Sequence, residues 1–589
     1  MTTPSPQLPI VLGVSGHRDI PAGDEAILQE AVKSIFADYR KRYPDTPLIM
    51  LTGLAEGADQ LVARVALEFG VEIGAVLPLQ VSEYERDFVD PLTRQNFHDL
   101  LAKSHWQVVV QPETVTDPRE ETQRNSCYAA VGHYICRHAQ MLVTLWDGHD
   151  NGKVGGTAYV VRKFRKGFHS DDVDDGLLDF PDCGPVRHIW TRRIAGPDYV
   201  PNEIATGSSR ELYPIPVGLE DDSDSKKSMD DFERQRWADI FSSIQTFNRS
   251  SRDFPIDKLR EASEGLVGKA IAVDQLPAAM QATAITYAVA DTLSFDAQTK
   301  RRKLFQGMIG SFLAAIFFEL LYSGPYPHWP LLVMAILCGG LTFILFFIAL
   351  RVMRLEETYL DYRAFAEALR VQYYWQQAGI DRCVADDFLR DQRDSLEWIR
   401  QSLLNLSLPR APVFTVSKNS EETIGNLRDI CDQWVHGQRS YFLGTTHKLG
   451  KFIKVKGQEK FLILMTKGFL AMAVATLATT LVWHMTNDGE RTFFAEGILQ
   501  WLIVTYGLFF WLLPTTELYR RTMAYDETSR NYLSTGLIFH ACENRLHDAL
   551  NNVDIDLARK LLLQLGRQAL KENNAWLVTH RDRPLQPPL

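Results

Sequence analysis

The chain has 589 residues, of which 46% are hydrophobic, 23% charged and 11% aromatic, which excludes a disordered or collagen-like protein. Its 63 Lys and Arg face 73 Asp and Glu, a net charge of −10, so no direct nucleic-acid binding is expected. The seven cysteines are odd in number, widely spaced and without a CxxC, which fits a reducing compartment rather than a disulfide framework. The first ten residues, MTTPSPQLPI, have neither a basic region nor a long apolar run, so no cleaved signal peptide is expected.

Residues 9–196 read as strands alternating with helices. Apolar strands are predicted at 10–16, 48–53, 71–78, 105–112 and 140–148. Helices are predicted at 26–39, from the second strand through 69, at 125–138, and after Gly156. Short, nearly all-apolar strands belong to a parallel sheet covered on both faces. The fold class expected is therefore a doubly wound, Rossmann-like α/β domain, followed by an all-α membrane region.

Ligands of such sheets bind beyond the carboxyl ends of the strands. The first strand ends in GVSGHRD, which offers Gly16, His17 and Arg18. The second ends in GLAEGAD, with Gly53, Glu56, Gly57 and Asp59, and the third ends at Pro78. The fifth ends in WDG, with Asp147, and GKVGGTA follows, placing Gly155, Gly156 and Thr157 at a helix start. Glycines admit close backbone approach, and a helix amino terminus carries about half a positive charge, so together they suit phosphate. Arg18 can supply a planar charged fork, and Glu56 or Asp59 can accept ribose hydroxyls. His133 and Arg137 are candidates for a helix edge lining the same cleft. Neither a Walker A motif nor a GxGxxG is present. Cys127, His133, Cys136 and His138 are irregularly spaced and do not share one helical face, which argues against a metal site.

Two acidic stretches, DDVDDGLLDFPD (171–182) and EDDSDSKKSMDD (220–231), read as solvated loops. Residues 237–293 read mostly as helix, with an apolar stripe through Phe241, Ile244 and Phe247, leading to the membrane region.

Four apolar segments follow, at 304–322, 329–350, 461–483 and about 493–513, each near the ~20 residues that cross hydrocarbon. Lys and Arg flank their outer ends, at 300–303, 351, 354, 448–460 and 520–521, and are nearly absent from the loops 323–328 and 484–491. The positive-inside rule then places both termini in the cytoplasm. Glu319, Lys467 and Glu496 lie in or near these spans, where charges either face an interior path or snorkel to the interface. Each hairpin is followed by an amphipathic helix, at 354–379 and 518–546, expected to prolong the spans as a cytoplasmic extension. The expected organisation is a nucleotide-binding domain at 1–200, an acidic linker and helical connector at 201–299, a hairpin with its helix at 300–400, a connector at 401–459, a second hairpin with its helix at 460–548, and a helical tail at 549–589.

The succession GVSGHRD, GLAEGAD, a strand ending in LP, and WDG followed by GGTA resembles the SLOG superfamily. That superfamily includes Smf/DprA proteins, LONELY GUY phosphoribohydrolases and the sensor regions of melastatin-type TRP channels. The similarity covers about the first third of the chain. The basic lead-in, tight hairpin and YRAFAEALR helix with Trp375 resemble the SLATT class of membrane effectors, and WVHGQRSYF and ENNAWLVTHRDRP have the same flavour. The resemblance implies a bacterial inner-membrane effector in antiphage defence. Its first domain would bind an ADP-ribose derivative or a cyclic nucleotide, and its spans would form a pore as a homo-oligomer, since four spans leave little room for one within a chain. One departure stands out. LONELY GUY enzymes use PGGxGTxxE, and VGGTAYVVRK here lacks the Pro, the third Gly and the catalytic Glu, so no catalytic residue is assigned. The rival readings are a membrane-anchored nucleotide-processing enzyme, in which Glu56 acts as a base, and a regulated ion channel or transporter.

Overall fold

The computed structural model describes residues 7–150, 152–167, 183–194, 204–214, 223–252, 255–268, 272–351, 353–388, 393–408, 420–486 and 493–581. The acidic stretch 171–182, residues 220–222 of the second, residues 487–491 of the second hairpin loop and residues 582–584 of the tail lie outside them. The chain forms two compact units: Met1–Val289 with Asp381–Thr415, and Ala290–Ile380 with Val416–Leu589.

The first unit is a parallel-rich α/β structure. Its elements in chain order are β1 (Ile10–Gly16), α1 (Glu25–Arg42), β2 (Leu48–Thr52), α2 (Ala58–Glu68), β3 (Glu72–Leu77), α3 (Val81–Tyr84), α4 (Pro91–Lys103), β4 (Trp106–Val109), α5 (Glu121–His138), β5 (Met141–Trp146) and α6 (Thr157–Lys166). Two strands that the sequence did not announce follow, β6 (Val186–Trp190) and β7 (Ser209–Leu212). The sheet order is β4-β3-β2-β1-β5-β6-β7, parallel throughout except for the antiparallel β6–β7 pair. All five residues of β2 and the first five of β1 are buried, which is why both read as unbroken apolar runs. Val131, Ile135 and Cys136 of α5, with Val160, Val161 and Phe164 of α6, pack on Val11, Ile49, Leu51 and Leu142 of the strands. Each such fully buried Val, Leu or Ile contributes about 1.5–3 kcal/mol.

Three further helices complete this unit: α7 (Ser223–Arg252), α8 (Ile256–Val267) and, from beyond the first apolar hairpin, α12 (Arg393–Leu406). From Ser223 onward the second acidic stretch is helix rather than loop. Trp237, Ile240, Phe241, Ile244 and Phe247 of α7 are buried, and packing of that stripe propagates helix back through the acidic first turns, where negative charge suits the dipole. Phe241 meets Tyr39 and Tyr43 edge-on, with centroids 5.9 and 5.6 Å away, and Phe247 packs on Trp398 of α12. Asn248 donates to the Leu8 carbonyl and accepts from the Leu8 N–H.

The second unit is helical. It takes the later part of α9 (Ala278–Ser323), within which the division between units falls, then α10 (Trp329–Arg351), α11 (Met353–Gln377), α13 (Ser420–Ile430), α14 (Gly437–Leu443), α15 (Lys451–Thr486), α16 (Phe493–Thr522), α17 (Tyr525–Asn551) and α18 (Ile555–Arg581). A single π-helical stretch, Cys431–His436, joins α13 to α14. Four helical segments are long and apolar enough to cross a membrane, in α9, in α10, in α15, and in α16 with α17. Between 0% and 11% of their most apolar windows is buried within the protein, so these helices are not the interior of a globular core. Ser311 and Thr342 hydrogen-bond at 2.7 Å between α9 and α10, Phe312 meets Trp511 between α9 and α16, and Phe469 meets Phe509 between α15 and α16. After α16 the chain breaks at Ala524, which is left-handed (φ 47°), so the second amphipathic helix begins at Tyr525 rather than continuing the span. The fully buried Trp375 of α11 donates to the Leu562 carbonyl, and Trp434 stacks on Tyr374 at 5.0 Å.

Candidate functional site

The strand order reverses between β1 and β5, and there a cleft of about 310 Å³ opens beyond the strands' carboxyl ends. That is the place where an open parallel sheet receives a ligand, because the loops after adjacent strands diverge to opposite faces. Gly16, His17 and Arg18 come from the end of β1, Gly53 and Asp59 from the β2–α2 turn, and Pro78 from the end of β3. Asp147 follows β5, and Gly155, Gly156 and Thr157 form the start of α6. The expected site residues at these ten positions are thus brought together. The floor is apolar, from Val14, Val131, Ile135 and Val160.

Two glycines make the geometry possible. Gly57 has φ +80°, and a Cβ there would lie 2.3 Å from the Arg18 carbonyl oxygen and 2.6 Å from that of His17. Its absence lets the Ala58 N–H donate to the His17 carbonyl at 2.9 Å, which ties the β1 and β2 turns together. Gly155 has φ +77°, and a Cβ there would meet the backbone of Asn125 and Ala129 at 2.9 Å. The glycine loop therefore lies directly on α5. Between them, Leu54 is left-handed (φ 52°) and fully buried, a strained non-glycine residue in the turn that holds the cleft wall.

The electrostatics are divided. Gly156 caps α6, so the helix amino terminus, with its partial positive charge, borders the cleft beside Lys153. The Arg18 guanidinium lies 4.9 Å over the Tyr128 ring, which orients it. His17 is neutral. The Asp147 backbone N–H donates to its Nε2 at 3.0 Å, which assigns the proton to Nδ1, and burial lowers its pKa more than the nearby Asp147 carboxylate raises it. Asp59 is 7% exposed, and burial pushes its pKa up to about 7 despite the opposing effects of the Ala55 N–H, Arg18, the Thr52 hydroxyl and the Gly53 N–H. Tyr84 donates to the Gly53 carbonyl at 3.0 Å. Anion binding at one side, apolar contact beneath, and a buried carboxyl at the other side are what this arrangement can do.

No protein-family model matches the chain, and no curated protein is similar to it.

Four expected site residues lie apart from the cleft lining. Glu56 does not line it. Gly57 sits behind it, against the carbonyls of His17 and Arg18. His133 faces the Tyr159 hydroxyl at 2.9 Å. Arg137 makes two contacts with Asp386, at 2.9 and 2.8 Å. Among the described residues, no group of three or more His, Cys, Asp or Glu converges as a metal site. Cys136 faces the Val160 carbonyl, and His138, whose pKa burial pushes down to about 3, lies 3.4 Å from the Leu404 carbonyl. Tyr84, Asn125, Tyr128, Trp146, Lys153 and Arg193 line the cleft without having been singled out in the sequence. In the apolar helices, Glu319 accepts a hydrogen bond from Ser323, and Lys467 and Glu496 are exposed on the protein surface.

Proposed function

We propose that this protein is a nucleotide-gated membrane effector. Its α/β unit, read as a doubly wound Rossmann-like sensor, binds a nucleotide-derived signal. Its four apolar helices, assembled as a homo-oligomer in the bilayer, respond by forming or opening a pore. The observation that carries this reading is the cleft at the sheet's reversal point, where a helix amino terminus, Arg18 and Lys153 stand beside an apolar floor. Its volume of about 310 Å³ is at the lower end of ligand clefts, which span roughly 300–1,000 Å³. It therefore suits one nucleotide unit, and a larger ADP-ribose derivative or cyclic oligonucleotide would leave part of itself outside. The basic flanks of the apolar segments favour cytoplasmic termini. The bacterial inner membrane and a role in antiphage defence follow from the SLOG and SLATT resemblance alone.

The test is dye and ion leakage from liposomes carrying the full-length protein, against ADP-ribose, cyclic oligonucleotides and adenine nucleotides. The expected result is leakage with one of them, abolished by Arg18→Ala. Binding without leakage, in vesicles with correctly inserted protein, would refute the pore. A second reading, an anchored nucleotide-processing enzyme, is favoured by one observation: a carboxyl that titrates near neutrality lines the cleft, at Asp59 and not at Glu56. Breakdown of a nucleotide in the same samples, lost in Asp59→Asn, would select it.

A further inference from the structure

We infer that Asp59 selects ligands that present a sugar hydroxyl to the buried end of the cleft, so that the signal contains a ribose rather than a 2′-deoxyribose or a bare phosphate. This rests on the nucleotide reading of the cleft. Asp59 lines the cleft while being 7% exposed, and none of the described ion pairs includes it. Asp147, the other carboxylate in the lining, is committed: it accepts the His149 N–H at 2.9 Å and lies 3.1 Å from His17 Nε2. The Arg18 guanidinium, the nearest cation to Asp59 in its effect, is held over Tyr128.

A carboxylate buried without a salt bridge carries a desolvation cost that a donor on the ligand can offset. A hydroxyl is such a donor. A phosphate oxygen is an acceptor of the same charge, and it belongs at the amino terminus of α6 instead. The two ends of the cleft thus ask for an anion and a hydrogen-bond donor on one molecule, which is the chemistry of a ribonucleotide. The carboxyl titrates near 7, with Arg18 and Tyr84 facing it and Asp87 and Arg124 beyond Tyr84. Selection for the hydroxyl therefore strengthens as pH rises through neutrality, because only the ionised form is a full acceptor.

The experiment is equilibrium binding of the four ribonucleoside 5′-monophosphates and their 2′-deoxy and 3′-deoxy counterparts to the full-length protein in detergent, with inorganic phosphate as competitor. At pH 8 at least one ribonucleotide should bind at least about tenfold tighter than one of its deoxy forms, the scale of a hydrogen bond to a charged group. The ratio should shrink at pH 6 in the unaltered protein, a readout independent of any folding defect. Asp59→Asn should bring the ratio within about threefold at pH 8. Phosphate-competed binding with equal affinity for ribose and both deoxyribose forms would overturn the role of Asp59 and leave the nucleotide reading standing. Absence of any phosphate-competed binding would overturn both.

Discussion

Replacing Gly57 by Ala tests whether the β1 and β2 turns are held together as described. The backbone conformation, φ +80° and ψ −115°, is one that residues with a side chain rarely adopt, at a cost of order 1–3 kcal/mol. The new methyl would lie 2.3 Å from the Arg18 carbonyl oxygen, against an ordinary contact near 3.5 Å, so the two turns must separate by about 1 Å. Separation stretches the Ala58 N–H to His17 carbonyl bond, worth about 0.5–1.5 kcal/mol. Together these give a loss of about 2–4 kcal/mol, or several degrees in melting temperature. The cleft should also lose its anion affinity, because Gly16, His17 and Arg18 move with the turn. The assay is a thermal melt of the full-length protein in detergent, with hydrogen exchange to localise the change and phosphate binding as the functional readout. Gly23→Ala is the control, since nothing lies within 4 Å of the added methyl. A Gly57→Ala variant that melts within a degree of the unaltered protein and binds phosphate equally would refute the reasoning.

Three further outcomes are expected. Burial raises Asp59 from 3.8 to about 7, so its contribution to stability is fully present below pH 4 and is lost as pH rises through 7. Melting temperature should therefore fall between pH 5 and 8 in the unaltered protein by more than in Asp59→Asn, and parallel pH profiles would contradict this. Arg137→Ala leaves Asp386, only 8% exposed, without its guanidinium, and should cost about 3 kcal/mol; melts of a cycle with Asp386→Asn should reveal the coupling, and strictly additive losses would count against it. Ala524→Gly relieves a left-handed alanine and should stabilise the α16–α17 junction by about 1 kcal/mol, seen as slower proteolysis there; faster cleavage would oppose it.

The alternation of strand and helix was legible because β1, β2, β3 and β5 are buried on both faces and carry almost nothing polar. The glycine turns at their carboxyl ends were legible for the same reason, since the cleft stands where those strands stop. β6 escaped notice because VRHIW puts Arg187 and His188 in mid-strand, where Arg187 pairs with Glu211 of β7 and His188 faces the Trp146 carbonyl. Glu56 and Asp59 are three residues apart at a helix start, and only the turn's conformation decides which carboxyl enters the cleft. Arg137 looked like a ligand-binding residue because its partner, Asp386, lies 249 positions away. Pairings of that range leave no local pattern. The four apolar helices were the most legible feature, since length and composition alone identify them.

The first unit borrows residues 381–408 from beyond the first two apolar helices, and this has a consequence for how the protein is made. At its carboxyl-terminal end α5, which walls the cleft, meets that segment through Arg137 to Asp386 and His138 to the Leu404 carbonyl, and Asn405 donates to the Pro9 carbonyl at the start of β1. A ribosome that has synthesised the whole of the seven-stranded sheet has not yet supplied these partners. It must first emit α9, α10 and α11. The ligand-binding unit therefore matures only after the first apolar hairpin has left the ribosome, and a fragment cut before residue 290 would leave the backs of α5 and α7 bare. Sensing competence is acquired late, when the hairpin is already in place.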